Sequence, residues 1–248
     1  MKAISALFMA FSLLLTSGCY HLQAAKAPMP ALSYYHADAY QPGVDSGQRA
    51  KDLLVYLPGM GDYMERFEGK DLQQPLFEAG LPIDIKVADA HFAYYRARTF
   101  NERLHQDIIA PAREEGYQRI YLVGISLGGF GALLHWRETG DIDAVLLLTP
   151  YLGEPEYYAH LVDKNQQATA LDEDKNIWPW LEELPPEAMQ HWYVGRARDD
   201  KFFTPNSLLS DRLPPANTVT VDGGHDWNAW LAMWPQLLAK LERDFYSE

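Results

Sequence analysis

The stretch YLVGISLGGFGALLHW, residues 121–136, constrains the fold of this chain more than any other. An apolar run ends at Ser126, which lies between Gly124 and Gly128, and a helix-like pattern follows at once. Glycines two residues before and after a serine leave room for a sharp, strained turn that exposes its oxygen. The N–H groups of the following helix favour negative charge there. The pattern predicts a nucleophilic serine at the end of a central strand, although a tight turn with a serine N-cap would share these letters.

Strand-like and helix-like segments alternate along the rest of the chain. Short apolar runs bounded by turn residues predict strands within residues 53–57, 81–89, 119–125, 143–150, 191–200 and 217–225. Periodic segments predict helices over residues 63–79, 99–117, 127–140 and 227–245. Gly80 is expected to end the first helix, Pro111 to interrupt the second and Gly116 to end it. This alternation predicts an α/β fold, in which helices flank a mostly parallel central sheet.

One region departs from this alternation. Residues 151–188 contain no predicted strand but include four large aromatic residues, Tyr157, Tyr158, Trp178 and Trp180. Such an insertion can be a segment packed on the surface, a small cap over a pocket, or both. Its aromatic content favours a cap-like insertion.

The N-terminal region has the features of an export signal. Lys2 precedes an apolar run from Ala3 to Leu15 that is too short for a good membrane span, so residues 1–18 are predicted to be a signal peptide. The sequence LTSGC ends at Cys19, the only cysteine, and resembles the lipobox of bacterial lipoproteins. A lipidated cysteine implies a domain anchored to a membrane of the bacterial cell envelope, and the lack of Asp directly after it favours the outer membrane, facing the periplasm. The alternative is an ordinary secretory signal with an incidental cysteine.

The remaining chain divides into a tether and one globular domain. Residues 19–50 are irregular and predict a lipidated cysteine and tether that lead into a loop or short edge strand, and residues 51–248 predict the α/β domain. The chain carries 21 Lys and Arg against 34 Asp and Glu, a formal net charge of −13. A surface this acidic repels phosphate backbones, so no nucleic-acid partner is expected.

A serine hydroxyl becomes a good nucleophile only when a base takes its proton. Of the eight histidines, His225 is the best candidate, because VDGGHDW places it directly after the last predicted strand with a helix behind it. His105 and His135 fall on predicted helices, where surface or packing roles are favoured. The base is therefore predicted to lie on a loop at the C-terminal edge of the sheet, where chemistry is expected in such folds.

The base in turn needs an acid that holds its tautomer and offsets its charge. The loop after the preceding strand offers Asp199 and Asp200, and Asp200 is favoured as the last carboxylate before the apolar pair in DKFF. Asp226 is expected to cap the final helix instead. The order Ser126, then the aspartate, then His225 is one of the known orders of a Ser-His-Asp triad.

A tetrahedral intermediate also needs donors for its oxyanion. The backbone N–H of Leu127, directly after the serine, is one candidate. The second is the N–H of Met60 in LPGMGD, where Gly59 and Gly61 let the backbone approach closely. A plain glycine-rich turn is the alternative for this loop.

These motifs together resemble the α/β-hydrolase superfamily over roughly Asp52 to the C-terminus. LPGMGD resembles the oxyanion loop, although Pro58 replaces a histidine common there; GISLGG resembles the nucleophile elbow, and GGHDW resembles the histidine loop of esterases. The stretch of residues 89–134 is similar to a bacterial esterase/lipase-like branch. The resemblance implies a serine hydrolase with a small-molecule ester or thioester substrate.

The same residues leave other functions open. A non-catalytic envelope lipoprotein that uses the fold for binding, or an acyltransferase with the same triad, is the alternative. No cofactor is implied, and no metal, because the sequence has no HExxH motif and no clustered Cys/His set. Aromatic residues are expected to contact the acyl group of the substrate, namely Tyr94, Tyr95, Trp178 and Trp180.

Overall fold

A computed structural model describes residues 24–168 and 175–247. The strands are β1 Ala31–Tyr34, β2 Asp52–Leu57, β3 Ile83–Ala88, β4 Arg119–Ile125, β5 Ala144–Leu148, β6 Trp192–Ala197 and β7 Thr218–Val221. They form one sheet in the order β1-β3-β2-β4-β5-β6-β7. The pair β1 and β3 is antiparallel, and every other pair is parallel. The predicted mostly parallel sheet is confirmed.

Helices cover both faces of this sheet. The α-helices are α1 Gln74–Glu78, α2 Phe92–Arg96, α3 Phe100–Leu104, α4 Ala110–Glu114, α5 Leu127–Thr139, α6 Pro155–Val162, α7 Trp178–Glu183, α8 Phe203–Ser210 and α9 Trp227–Phe245. A π-helical turn, His105–Ile109, joins α3 to α4. Short 3-10 turns lie at His36–Asp38, Met64–Arg66, Glu68–Lys70, Pro186–Met189 and Pro215–Asn217.

Successive residues of the central strands point into two separate apolar cores. Leu53 and Val55 of β2 face the core that is shared with α3, α5 and α7. Leu54 and Tyr56 face the other core, where α9 packs. Residues on both faces are buried, which is why these strands are continuous apolar runs rather than alternating ones. The central strands are thus held between two helical layers, and their C-terminal ends meet at one edge.

The predicted helix over residues 63–79 is wrong in extent. Only α1 is α-helical there, and two 3-10 turns precede it. Asp71 adopts a left-handed backbone with φ of 50°, which an α-helix cannot contain, and α1 then begins at Gln74 with Pro75 in its first turn. Gly80 follows α1 with φ of 64°, as expected for a residue that ends a helix.

The predicted helix over residues 99–117 is interrupted, as expected, but the interruption takes the form of the π-helical turn that ends two residues before Pro111. A proline ring clashes with the carbonyl four residues earlier in a regular α-helix, and a wider turn relieves that clash. Gly116 ends the segment with φ of 99°.

Residues 29–50 close one edge of the sheet. Strand β1 is the short edge strand allowed for by the sequence, and its Tyr34 is buried. The buried carboxylate of Asp84 in β3 accepts hydrogen bonds from the backbone N–H groups of His36 and Ala50 and from the hydroxyl of Tyr117. These bonds tie the N-terminal segment to the domain. The predicted signal peptide and Cys19 lie outside the described residues.

The insertion of residues 151–188 contributes α6, α7 and one 3-10 turn, and its described part contains no strand. Trp178 of α7 is fully buried, and its indole N–H donates to the carbonyl of Leu152 at 2.8 Å. Much of the insertion is thus packed against the body of the domain. Within the described ranges, none of the helices combines the length and apolar character needed to cross a membrane.

Candidate active site

Strand β4 ends in a strained turn at Ser126. This residue has φ of 50° and ψ of −114°, a conformation that non-glycine residues rarely adopt. Backbone hydrogen bonds hold it there: its N–H donates to the carbonyl of Leu148, and its own carbonyl accepts from the N–H groups of Gly129 and Tyr151. The strain is therefore imposed by both β5 and α5, and the serine side chain is directed out of the sheet.

The glycines around Ser126 permit a close approach of two backbones. A Cβ atom on Gly128 would lie 2.1 Å from the carbonyl oxygen of Leu57 at the end of β2. A Cβ atom on Gly124 would lie 2.4 Å from the backbone of Gly128. The sequence-based explanation for these two glycines is confirmed.

Three polar side chains meet at this edge of the sheet. The Nε2 atom of His225 lies 2.8 Å from Oγ of Ser126, and its Nδ1 atom lies 2.7 Å from Oδ2 of Asp200. The side chain of Asp200 is fully buried, whereas that of His225 is 19% exposed. Asp199 is exposed on the surface. The structure thus brings Asp200, and not Asp199, onto the imidazole.

Local hydrogen bonds fix the acid and the histidine loop. The Oδ1 atom of Asp200 accepts from the N–H of Phe202 at 2.8 Å, so its second oxygen is left for the imidazole. Gly223, with φ of 114°, turns the loop after β7 toward the site. Asp226 caps α9 by accepting from the N–H groups of Asn228 and Ala229, as predicted.

Thr149 is a site residue that the sequence reasoning missed. It follows β5 with φ of 42°, an outlier for a β-branched residue. Its Oγ1 atom accepts a hydrogen bond of 2.7 Å from the indole N–H of Trp230 and lies 3.1 Å from Nδ1 of His225. The only available signal was a polar residue at the end of an apolar strand. Thr149 and Asp200 together face the same imidazole nitrogen.

Aromatic rings hold the imidazole from two sides. The ring of Trp230 lies 5.2 Å from that of His225 and the ring of Phe202 lies 4.9 Å from it, both nearly perpendicular. Tyr151 then contacts Phe202 on one side and Phe130 on the other, at centroid distances of 5.6 and 5.8 Å. Phe130, Tyr151 and Phe202 form a wall beside the serine, which we call the aromatic wall. The sequence reasoning did not select its members.

The two predicted oxyanion donors belong to segments that adjoin the serine. Leu127 is the first residue of α5, so its N–H has no acceptor within that helix. Met60 follows Gly59, whose own Cβ position would be 3.5 Å from Cβ of Ser126. The Met60 side chain itself is 55% exposed.

The loop that carries Met60 also contains a buried acid. Asp62 is 7% exposed, and burial raises the pKa of its carboxyl group, an effect opposed by the positive charges of Arg66 and Lys70.

The four aromatic residues expected at the substrate are not gathered at one place. The Tyr95 hydroxyl donates to the carbonyl of Leu127, which puts it next to α5. Tyr94 is fully buried, and its hydroxyl accepts from the N–H of Lys26. Trp178 and Trp180 lie in the insertion of residues 151–188.

Both tryptophans belong to the packing of the insertion. Trp178 has no exposed surface with which to touch a ligand. Trp180 packs against Trp136 near the end of α5 and against Trp192 at the start of β6, which is the opposite edge of the sheet from Ser126. The sequence alone does not distinguish an aromatic residue that packs in the protein from one that contacts a ligand. Here both tryptophans pack in the protein.

No protein-family model matches this chain, and no curated protein matches it in sequence. Solved structures are similar in fold. A ferulic acid esterase matches with a TM-score of 0.59 at 19% identity, covering 81% of this chain and 88% of that one. Est1E from Butyrivibrio proteoclasticus matches with a TM-score of 0.59 at 14% identity over 87% and 93%. An S-formylglutathione hydrolase from Staphylococcus aureus matches with a TM-score of 0.52 at 13% identity over 88% and 97%. The chain has the α/β-hydrolase fold.

Replacing Gly128 with alanine should disrupt the junction between β2 and α5. The added methyl group meets backbone atoms that cannot rotate away, so we expect the free energy of unfolding to fall by about 1–3 kcal/mol or more. Urea denaturation followed by tryptophan fluorescence measures this change. Gly69→Ala is the matched control, because nothing lies within 4 Å of its Cβ position. Equal stability of the two variants would contradict the proposed close approach.

Proposed function

We propose that this protein is a serine hydrolase that cleaves a carboxylic ester or thioester. The observation that carries the proposal is the continuous path of hydrogen bonds from Ser126 through His225 to Asp200 at the C-terminal edge of the sheet. A tight turn with a serine N-cap would not require an imidazole and a buried carboxylate in line with the serine. The likeness of the fold to esterases and hydrolases supports the same class.

In the proposed mechanism, Ser126 attacks the carbonyl carbon while His225 takes the hydroxyl proton through Nε2. Asp200 holds the proton on Nδ1 and stabilises the imidazolium that forms. The N–H groups of Met60 and Leu127 stabilise the oxyanion. His225 then donates its proton to the leaving alcohol or thiol, and an acyl-enzyme remains. Water attacks this ester with His225 again as the base, and the acid product leaves with Ser126 restored.

The aromatic wall supports an apolar or aromatic group on the substrate. Rings of Tyr151 and Phe202 are partly exposed beside Ser126 and offer large apolar area. One of the similar structures is a ferulic acid esterase, and another carries bound ferulic acid. We propose that the present protein likewise prefers a substrate whose acyl group can stack against the aromatic wall.

We further propose that lipid on Cys19 anchors the domain to the bacterial outer membrane, facing the periplasm. The support for this is the sequence LTSGC after a short apolar run and the single cysteine of the chain. The residues between Cys19 and Lys26 would act as the tether in this arrangement, because the backbone N–H of Lys26 already binds the hydroxyl of Tyr94 in the domain.

Incubation of the mature domain with a fluorophosphonate probe should label Ser126. We expect an adduct on the peptide that contains Ser126 and none in Ser126→Ala or His225→Ala, because the hydroxyl reacts only when the imidazole activates it. Asp200→Asn should slow hydrolysis of a p-nitrophenyl ester by roughly 10³–10⁴-fold. Asp199→Asn is the matched control and should stay near the wild-type rate. A folded protein with no adduct would refute the hydrolase proposal and favour a binding scaffold.

Removal of the Thr149 hydroxyl should impair the imidazole without removing any of the three reacting groups. In Thr149→Val the indole N–H of Trp230 loses its acceptor and His225 loses one contact to Nδ1, so we expect kcat/KM to fall by roughly tenfold. Thr149→Ser keeps the oxygen and should restore most of the activity. Denaturation of both variants separates this effect from a loss of folding. Activity of Thr149→Val within twofold of wild type would exclude a positioning role for Thr149.

The proposed anchor is tested by fractionating bacteria that express the full chain. The wild type should sediment with the membranes, and Cys19→Ala should remain in the soluble fraction, because the acyl chains supply the membrane affinity. Ser46→Ala, a change in the same N-terminal region, serves as the control. The anchor is disproved if the wild type and Cys19→Ala are found in the same fraction.

A further inference from the structure

Three side chains with metal-binding atoms meet at the end of α5 that is remote from Ser126. His135 lies in the last turns of α5, Asp141 lies in the loop that follows, and His105 begins the π-helical turn between α3 and α4. One ring nitrogen from each histidine and one carboxylate oxygen all lie within 4.8 Å of one another. Among the described residues, this is the group of His, Cys, Asp or Glu side chains with a geometry suited to a metal ion.

The two histidine–aspartate separations in this group are too long for hydrogen bonds and close to those of metal ligands. The Nε2 atom of His135 lies 3.7 Å from Oδ1 of Asp141, and Nδ1 of His105 lies 3.9 Å from Oδ2 of the same residue. Ligands bound at 2.0–2.1 Å to a tetrahedral ion are about 3.4 Å apart. One ligand atom from each residue lies within 4.8 Å of the other two, so side-chain adjustments that shorten these separations by up to about 1.4 Å would bring the three atoms into a coordination shell.

His135 supplies an independent observation. Its side chain is fully buried, and neither ring nitrogen has a hydrogen-bond partner in the protein. The Nδ1 atom of His105 is likewise buried without a partner. Burial of a polar atom without a partner is costly, so native proteins rarely leave one in this state. A cation bound between the two imidazole rings and Asp141 would give one nitrogen of each ring a partner.

The carboxylate of Asp141 is held in place from the other side. The hydroxyl of Thr139 donates to Oδ1 of Asp141 at 2.6 Å and also lies 2.9 Å from the carbonyl oxygen of His135. Outer partners of this kind orient the ligands of metal sites. The side chains of His105 and Asp141 are 43% and 34% exposed, which leaves a path for an ion to enter from solvent.

We propose that His105, His135 and Asp141 form a binding site for a divalent transition-metal ion, with Zn²⁺ as the best fit. Two imidazole nitrogens and one carboxylate oxygen suit zinc and its neighbours, whereas Mg²⁺ and Ca²⁺ prefer oxygen ligands alone. Water would complete the coordination. His135 lies nine positions after Ser126, a distance of about 14 Å along the helix, so the ion would act on stability rather than on the ester. It would clamp the π-helical turn against α5.

Thermal unfolding of the untagged mature chain, first dialysed against EDTA, tests the site. With free Zn²⁺ at a hundredfold excess over its Kd, we expect the Tm to rise by roughly 5–10 °C. Mg²⁺ and Ca²⁺ should not produce the shift. Isothermal titration should give one zinc ion per chain.

The variants His105→Ala and Asp141→Asn change partly exposed side chains and should fold, yet lose the zinc-dependent shift. His160→Ala is the matched control, because His160 also pairs with a carboxylate, that of Glu182, at 3.0 Å. It should keep the full shift. The site is refuted by a wild type that does not respond to zinc, or by variants at His105 and Asp141 that respond as fully as the control. Labelling of Ser126 by the fluorophosphonate probe should be the same in all of these variants, so the two proposals fail independently.

Discussion

The close contact between the end of β2 and the first turn of α5 is the constraint on which the site depends. It is possible only because residue 128 has no side chain, since any Cβ there would overlap the carbonyl oxygen of Leu57. The contact sets how deeply α5 lies over the sheet and therefore forces the sharp turn at Ser126. It also brings the loop after β2 against the serine, where Gly59 and Met60 lie. One steric condition thus positions the serine and both proposed oxyanion donors.

The parallel register of the sheet supplies the other half of the site. Strands β4, β5, β6 and β7 are neighbours, and all four end at the same edge. Each contributes one group just beyond its last residue, namely Ser126, Thr149, Asp200 and His225. Parallel pairing is why residues as far apart as 126 and 225 come within hydrogen-bonding distance. Two of these groups, Ser126 and Thr149, have positive φ, so the site contains two strained backbone positions.

The helix α5 contributes to the proposed active site with its N-terminus and to the proposed zinc site with its C-terminus. Its N-terminus supports the serine and directs N–H groups toward the proposed oxyanion. Its C-terminus carries His135 into contact with Asp141 and the π-helical turn. The widened turn that accommodates Pro111 begins at His105, so a local backbone adjustment coincides with the proposed zinc ligand. The two sites share the helix but not their chemistry.

Some features of this protein were determined locally and could be predicted from sequence. The central strands, α5, α9, the glycines of the elbow, the cap at Asp226 and the placement of Ser126 and His225 on strand-end loops all depend on residues that are near in sequence. The predicted helix over residues 63–79 was wrong because Asp71 has a left-handed backbone conformation, which interrupts the helix. The preference for Asp200 over Asp199 followed from one local feature, and the structure agrees because burial directs Asp200 inward.

Only the tertiary structure decided which distant side chains meet. Periodicity predicts that a residue is buried, but it does not identify the surface that buries it. The sequence therefore predicts Trp178 and Trp180 at the substrate, although Trp178 is fully buried and Trp180 packs against α5 and β6. Thr149 was missed because its partners, Trp230 and His225, come from other elements. The group of His105, His135 and Asp141 has no sequence signature either, since its first and last members are 36 positions apart and meet only when α5 packs against the π-helical turn. Local preferences act through neighbouring bonds, whereas these contacts depend on how whole elements pack.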